Sequence, residues 1–260
     1  MVVFNRFKNT QKQPQKPAPK QPKIWVKPEG GYYPQYKDMF DATHLLIAGT
    51  TGSGKSTLLN GILYTAVTAY APNEVGFVLV DTKYVELSPW KHLPHTYEFI
   101  KHAQDVPSML DDVIFHMECE YKRMEEQGIR KSRSKHLYVV IDELADLMCS
   151  PYAKEIKAKL QVVLQKGRAA NIHIIACTQA PSRKVIPAEL VLNFTNRVAL
   201  RCLSSIESRQ ILTVGGAEKI KGFGKGKYLS PKDGIVDVSI PLIEEDKINK
   251  RILFWMAQKD

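Results

Sequence analysis

His44–Thr57 reads "HLLIAGTTGSGKST", and this stretch decides the fold. Leu45–Ala48 are all apolar, as suits a strand buried on both faces. They run straight into Gly49-x-x-x-x-Gly54-Lys55-Ser56, a phosphate-binding pattern, and the residues after it read as a helix. The glycines Gly49, Gly52 and Gly54 let the backbone wrap a phosphate, while Thr50, Thr51 and Ser53 complete the loop. Amides at the start of the following helix point at the phosphate oxygens. Lys55 is placed to reach the β- and γ-phosphates, Ser56 to ligate Mg2+, and Thr57 to lie near the α-phosphate. ATP and Mg2+ are the expected ligands.

A metal-bound triphosphate also needs a carboxylate on a nearby strand. "LYVVIDE", 137–143, supplies two: Asp142 for the metal and Glu143 as the base that polarises an attacking water. A third apolar run, "IHIIACTQ", 172–179, ends on the polar pair Thr178-Gln179. In open α/β sheets ligands sit at the carboxyl ends of the strands. If this strand lies between the phosphate-loop strand and the Asp142 strand, Gln179 reaches the γ-phosphate or the attacking water.

Further strands are expected at "EVGFVLVD", "RVALRCL" and a terminal hairpin, "GKGKYLSPKDGIVDVSIPLI". Val106, Leu110, Val113, Met117, Tyr121 and Met124 recur at helical spacing, and Ile156, Leu160, Val163 and Leu164 mark another helix that Gly167 helps to end. The alternation predicts an α/β fold with a mainly parallel central sheet flanked by helices. Residues 1–23 form a disordered, basic Lys/Gln/Pro-rich arm, 24–38 an aromatic, turn-rich connector, 39–243 the ATPase domain and 244–260 a closing helix.

The net charge is +10, but Arg6, Lys8, Lys12, Lys16, Lys20 and Lys23 supply six of those charges within the first 23 residues. The folded part is only mildly basic, so charge alone does not establish nucleic-acid binding. Cys119, Cys149, Cys177 and Cys202 lack paired spacing, which argues against a disulfide framework or zinc site and for a reducing, cytoplasmic setting. No run approaches the roughly 18 apolar residues that span a bilayer. Work at a membrane would therefore need a partner.

Several ordered stretches together resemble the motor domain of the FtsK/SpoIIIE family of DNA translocases, over roughly residues 39–229, about three quarters of the chain. They are "HLLIAGTTGSGKSTLLNGIL", "LVDTKYVEL", "LPH", "MECEYKRMEEQGIR", "VVIDELADLM", "KGRAANIHIIACTQAPS", "NRVALRCLSSIESRQIL" and "GGAEKIKGFGKG". The resemblance implies a RecA-like P-loop ATPase that assembles as a ring, usually a hexamer, and pulls double-stranded DNA through its centre. It implies an arginine from a neighbouring subunit at the γ-phosphate, with Arg197 at the matching position and Arg168 as the alternate. It also implies that Arg209, Lys219, Lys221 and Lys225 turn toward the DNA, where cations beside glycines suit backbone gripping without base reading. "RKSRSKH", 130–136, is a second basic loop.

The usual "DPK" is "DTK" here and "ATQRPS" is "CTQAPS", with Ala180 where an arginine is common, so coupling between Gln179 and the DNA loop differs in detail. Against the family pattern, membrane-spanning and winged-helix parts are not expected. The chain reads as nearly a bare motor, of the kind that serves transfer or segregation of a plasmid, phage or integrative element. Partners would be DNA, further copies of the chain, and a membrane-protein or relaxase-type protein. Two other readings stand beside it: a motor for protein export, and a non-hydrolysing DNA-binding adaptor. Intact Lys55, Asp142, Glu143 and Gln179 speak against the adaptor.

Overall fold

The computed structural model describes residues 43–258 and, upstream, two short strands, β1 (Ile24–Trp25) and β2 (Tyr36–Lys37), paired antiparallel. The expected arm 1–23, the rest of the connector and residues 39–42 lie outside the described residues.

The central sheet has eight strands: β3 (Leu45–Ala48), β4 (Val75–Val80), β5 (Thr96–Ile100), β6 (His136–Ile141), β7 (Ile172–Thr178), β8 (Asn196–Ala199), β9 (Lys225–Ser230) and β10 (Gly234–Ser239). Their order is β10-β9-β8-β3-β7-β6-β4-β5. The six from β8 to β5 are parallel, and the β9–β10 hairpin closes one edge antiparallel. The strand of Gln179 thus lies between the phosphate-loop strand and the Asp142 strand, which meets the condition for Gln179 to stand beside the phosphate loop.

Every residue of β3, β4 and β7 is buried, because successive side chains feed opposite cores. Leu46, Val78, Val139 and Ile174 pack on one face with Met109, Val113 and Met117 of α2 (Val106–Gln127) and with Ile156 and Leu160 of α4 (Ala153–Lys166). Leu45, Leu79, Val140 and Ile175 pack on the other with Leu58, Leu59 and Ile62 of α1 (Lys55–Ala69) and Ile252 of α7 (Glu245–Met256). This two-sided burial is why the strands read as continuous apolar runs. Three short helices complete the set: α3 (Leu144–Met148), α5 (Ala188–Asn193) and α6 (Ser205–Leu212).

Gly167 is the C-cap residue of α4, as expected, but without a left-handed turn. Its φ is −58°, and the chain continues through a 3-10 turn to Asn171, which takes the left-handed conformation at φ 56°. A Cβ on Gly167 would lie 2.7 Å from the Ile172 carbonyl, so the glycine is there for close approach.

Candidate active site

Parallel register aligns the carboxyl ends of β3, β7 and β6. Ala48 pairs with Thr178 and Ile141 with Ala176, and the Gly49 amide extends the ladder to the Thr178 carbonyl at 3.2 Å. The phosphate loop, Gln179 and the Asp142-Glu143 pair therefore emerge side by side at one edge.

The loop turns through Gly52 and Gly54, at φ 73° and 106°, and α1 begins at Lys55. Both torsions lie in the left-handed region that side chains rarely adopt. Gly49 answers a space requirement instead: a Cβ there would meet Ser53 Oγ at 2.6 Å and Leu200 Cβ at 2.8 Å. The Lys55 ammonium donates to the carbonyls of Gly49 (2.8 Å) and Thr50 (3.1 Å). Burial lowers its pKa, while Cys177, Glu143 and Asp142 oppose the shift. The buried hydroxyls of Thr50 and Ser53 have no hydrogen-bond partner among the described residues, although buried polar groups ordinarily find one. That pattern fits a cradle shaped for a polar ligand. Thr51, Ser56 and Thr57 line an open cavity of about 480 Å3 that also takes in Gln179.

Glu143 caps α3. Its carboxylate accepts from the Ala145 amide at 3.3 Å and, through both oxygens, from the Gln179 amide at 3.1 Å. It is only 6% exposed, with the Lys83 ammonium 3.9 Å away. The Gln179 side chain accepts from the Thr51 hydroxyl at 2.7 Å. Gln179 thus joins the carboxylate, by its backbone, to the phosphate loop, by its side chain.

Asp142 is half-buried, and its pKa rises to about 7, first through burial and then through Asp81, Glu86 and Glu143. Carboxylates crowded this way suit a divalent cation. Among the described residues no group of three or more His, Cys, Asp or Glu side chains forms a metal site. Mg2+ needs none, because one or two carboxylates, a hydroxyl, phosphates and water suffice. Ser56 and Asp142 are the residues that would hold it.

Arg197 faces the interior of its own chain. It is 7% exposed on β8, and its guanidinium donates to the carbonyls of Phe194 (2.8 Å) and Ile211 (2.9 Å) of the same chain. Bound in this way to two interior carbonyls, the side chain braces its own chain. Arg168 is exposed.

Arg209, Lys219, Lys221 and Lys225 are all exposed. The Ala199–Lys227 pairing puts Lys225, at the start of β9, on the same sheet edge as the phosphate loop. Gly224 ties the two together, since its amide donates to the Ser53 carbonyl at 3.2 Å.

Two site groups went unread in the sequence. Asp81, fully buried, accepts from the amides of Lys83 and Leu87, and Lys83 pairs with Asp146 at 3.3 Å. "VLVDTK" carries the same signal as Gln179, polar residues at the carboxyl end of an apolar strand. Phe223, between two glycines, lines the cavity.

Residues 8–138 match the FtsK/SpoIIIE family. DNA translocase FtsK of Chlorobaculum tepidum is 37% identical over 215 residues, covering 75% of this chain and 27% of that protein. DNA translocase FtsK of Helicobacter pylori strain J99 is 34% identical over 242 residues, covering 87% of this chain and 29% of that protein. The chain thus spans less than a third of the length of these relatives. Among solved structures, the pCW3 conjugation coupling protein TcpA, in monomer form with ATPγS, aligns with a TM-score of 0.77 at 22% identity, over 91% of this chain and 72% of that one. The cytoplasmic domain of the Type VII secretion ATPase EccC of Thermomonospora curvata aligns with a TM-score of 0.77 at 20% identity, over 93% of this chain and 32% of that one. These two likenesses establish the fold, and the sequence matches establish the kinship: the chain belongs to the FtsK/SpoIIIE family.

Proposed function

We propose that this chain binds ATP with Mg2+, hydrolyses it, and uses the cycle to move double-stranded DNA. One observation carries the reading. One edge of the sheet holds a phosphate loop, the Asp142-Glu143 pair and a glutamine bonded to the loop and to Glu143, and a basic loop is fastened to the same edge. In this scheme Lys55 leaves its loop carbonyls for the β- and γ-phosphates. Ser56 and Asp142 hold the metal, which when bound neutralises phosphate charge. Glu143 takes a proton from the attacking water as it turns from the Gln179 amide. Gln179, drawn between Thr51 and the γ-phosphate, carries the change toward the residues that follow it. With Arg197 turned inward, Arg168 is the arginine we assign to a neighbouring copy's site in a ring. Mobile-element transfer or segregation is the process such a motor would serve.

The test is ATP turnover by the purified chain against double-stranded DNA of increasing length, with electron microscopy of the same sample for rings. Rising turnover with DNA, nucleotide binding lost in Lys55→Ala, and binding without turnover in Glu143→Gln are expected. Stimulation by a peptide but never by DNA would replace the reading with protein export, and full turnover in Glu143→Gln would remove that base.

A further inference from the structure

The cavity beside the phosphate loop has two unlike walls. One is polar, from the loop, Gln179 and Glu86. The other is apolar, made by Phe223, Ile240 and Leu242. Phe223 is 77% exposed and Leu242 80% exposed, so this apolar surface is bare. It is also held in place. Gly222 and Gly224 flank the ring at φ 89° and 65°. The Gly224 amide donates to Ser53 of the phosphate loop, and its carbonyl accepts from the Ile240 amide at 2.6 Å. The ring edge lies over Gly52, with Phe223 Cε1 3.9 Å from where a Cβ on that glycine would stand.

An exposed aromatic ring, on a backbone pinned at the next residue beside a phosphate cradle, is a platform for a flat apolar group. If phosphates fill the loop, the organic end of the ligand has to leave along one of these two walls. The polar wall carries Gln179, beside the carboxylates, and that is the reacting end. The base therefore lies on the other. We infer that Phe223 stacks on the base of the nucleotide whose phosphates occupy the loop, with Leu242 beside it. This rests on the nucleotide-binding reading above and adds a residue to it. Stacking on an aromatic side chain tolerates any base, because each has a π-face.

The experiment compares two ligands, ATP and inorganic tripolyphosphate, by titration calorimetry on the parent chain, Phe223→Ala and Phe223→Tyr. Phe223→Ala should weaken ATP by about 10-fold or more and leave tripolyphosphate unchanged, while Phe223→Tyr keeps ATP affinity. Equal loss for both ligands would mean that the ring only props the loop, and would overturn the inference. So would unchanged ATP affinity, including the case in which Phe223→Ala alters self-association instead. A parent chain that binds tripolyphosphate as tightly as ATP would remove the base contact while sparing the phosphate site. One that binds neither would sink the phosphate site and this inference with it.

Discussion

Asp142 is the residue at which stability and activity pull apart. Burial and the neighbouring carboxylates raise its pKa to about 7, so the empty protein favours the protonated acid. A carboxyl whose folded pKa is raised contributes stability below its ordinary value of 3.8 and loses it as pH climbs through about 7. At pH 8 the ionised group is a liability until a cation arrives. Asp142→Asn should therefore raise the melting temperature of the nucleotide-free chain by several degrees at pH 8, with the gain shrinking toward pH 5, while ATP turnover collapses. Thermal scans of variant and parent across that range decide the matter; an unchanged difference at every pH would mean the carboxylates do not strain one another. Arg197 teaches the opposite lesson. A strand arginine reads the same in sequence whether it faces out or in, and only packing put its guanidinium on the Phe194 and Ile211 carbonyls.

Elements were legible in proportion to how fully they are buried. β4, β6 and β7 announce themselves because both faces are covered, and α2 because its apolar stripe repeats for 22 residues up to Gly128 at φ 62°. β5 does not, since as an edge strand it is only partly covered and mixes Glu98 with Tyr97 and Phe99. α6 did leave a trace that went unread: Ser204 and Glu207 have capping-box spacing, and the Glu207 amide donates to Ser204 Oγ at 3.2 Å. Tyr97 of β5 explains a glycine in β4. A Cβ on Gly76 would lie 2.1 Å from the Tyr97 ring, so Gly76→Ala should cost roughly 1–3 kcal/mol of stability in denaturant titration. Gly76→Ala combined with Tyr97→Ala should recover part of it. The amino ends of the strands hold a pH-sensitive group of histidines. The Ile174 amide donates to His44 Nδ1 at 3.0 Å, and His173, bonded to the Thr43 carbonyl through Nδ1, accepts from His136 through Nε2 at 2.8 Å. Both arrangements require neutral rings. Burial pulls His44 to about 4 and His173 to about 3, the latter also through His136. The folded chain resists protons that the unfolded chain accepts near 6.5, so stability is full above that pH and drains away as pH falls toward 4. For His44 alone the loss is of the order of 3 kcal/mol. Melting temperature should fall steeply between pH 6.5 and 4.5, and His173→Gln should flatten the slope; an unflattened fall would place the sensitivity elsewhere.

At the scale of the whole molecule, the candidate site was legible because it collects at one edge of a parallel sheet, where polar residues interrupt apolar runs. The direction in which its cations look was not, because that depends on the hairpin's register. Among the described residues no helix is long and apolar enough to cross a membrane. Lys219, Lys221 and Lys225 are exposed within seven residues, and exposed cations suit a phosphate backbone. Replacing Lys219 and Lys221 together by alanine should lower the slope of log affinity against log salt for duplex DNA by about two, without altering sequence preference. A slope that does not move would put the grip on another surface.

The bond from Gly224 to Ser53 has a mechanical meaning. The residue that pins the cationic turn is also the residue that props the wall of the cradle. Tension applied to Lys221 would thus reach the segment that shapes the pocket directly, whereas Lys225 is anchored in the hairpin through its pairing with Ser239. Traction on one side and occupancy on the other become two readings of a single spring.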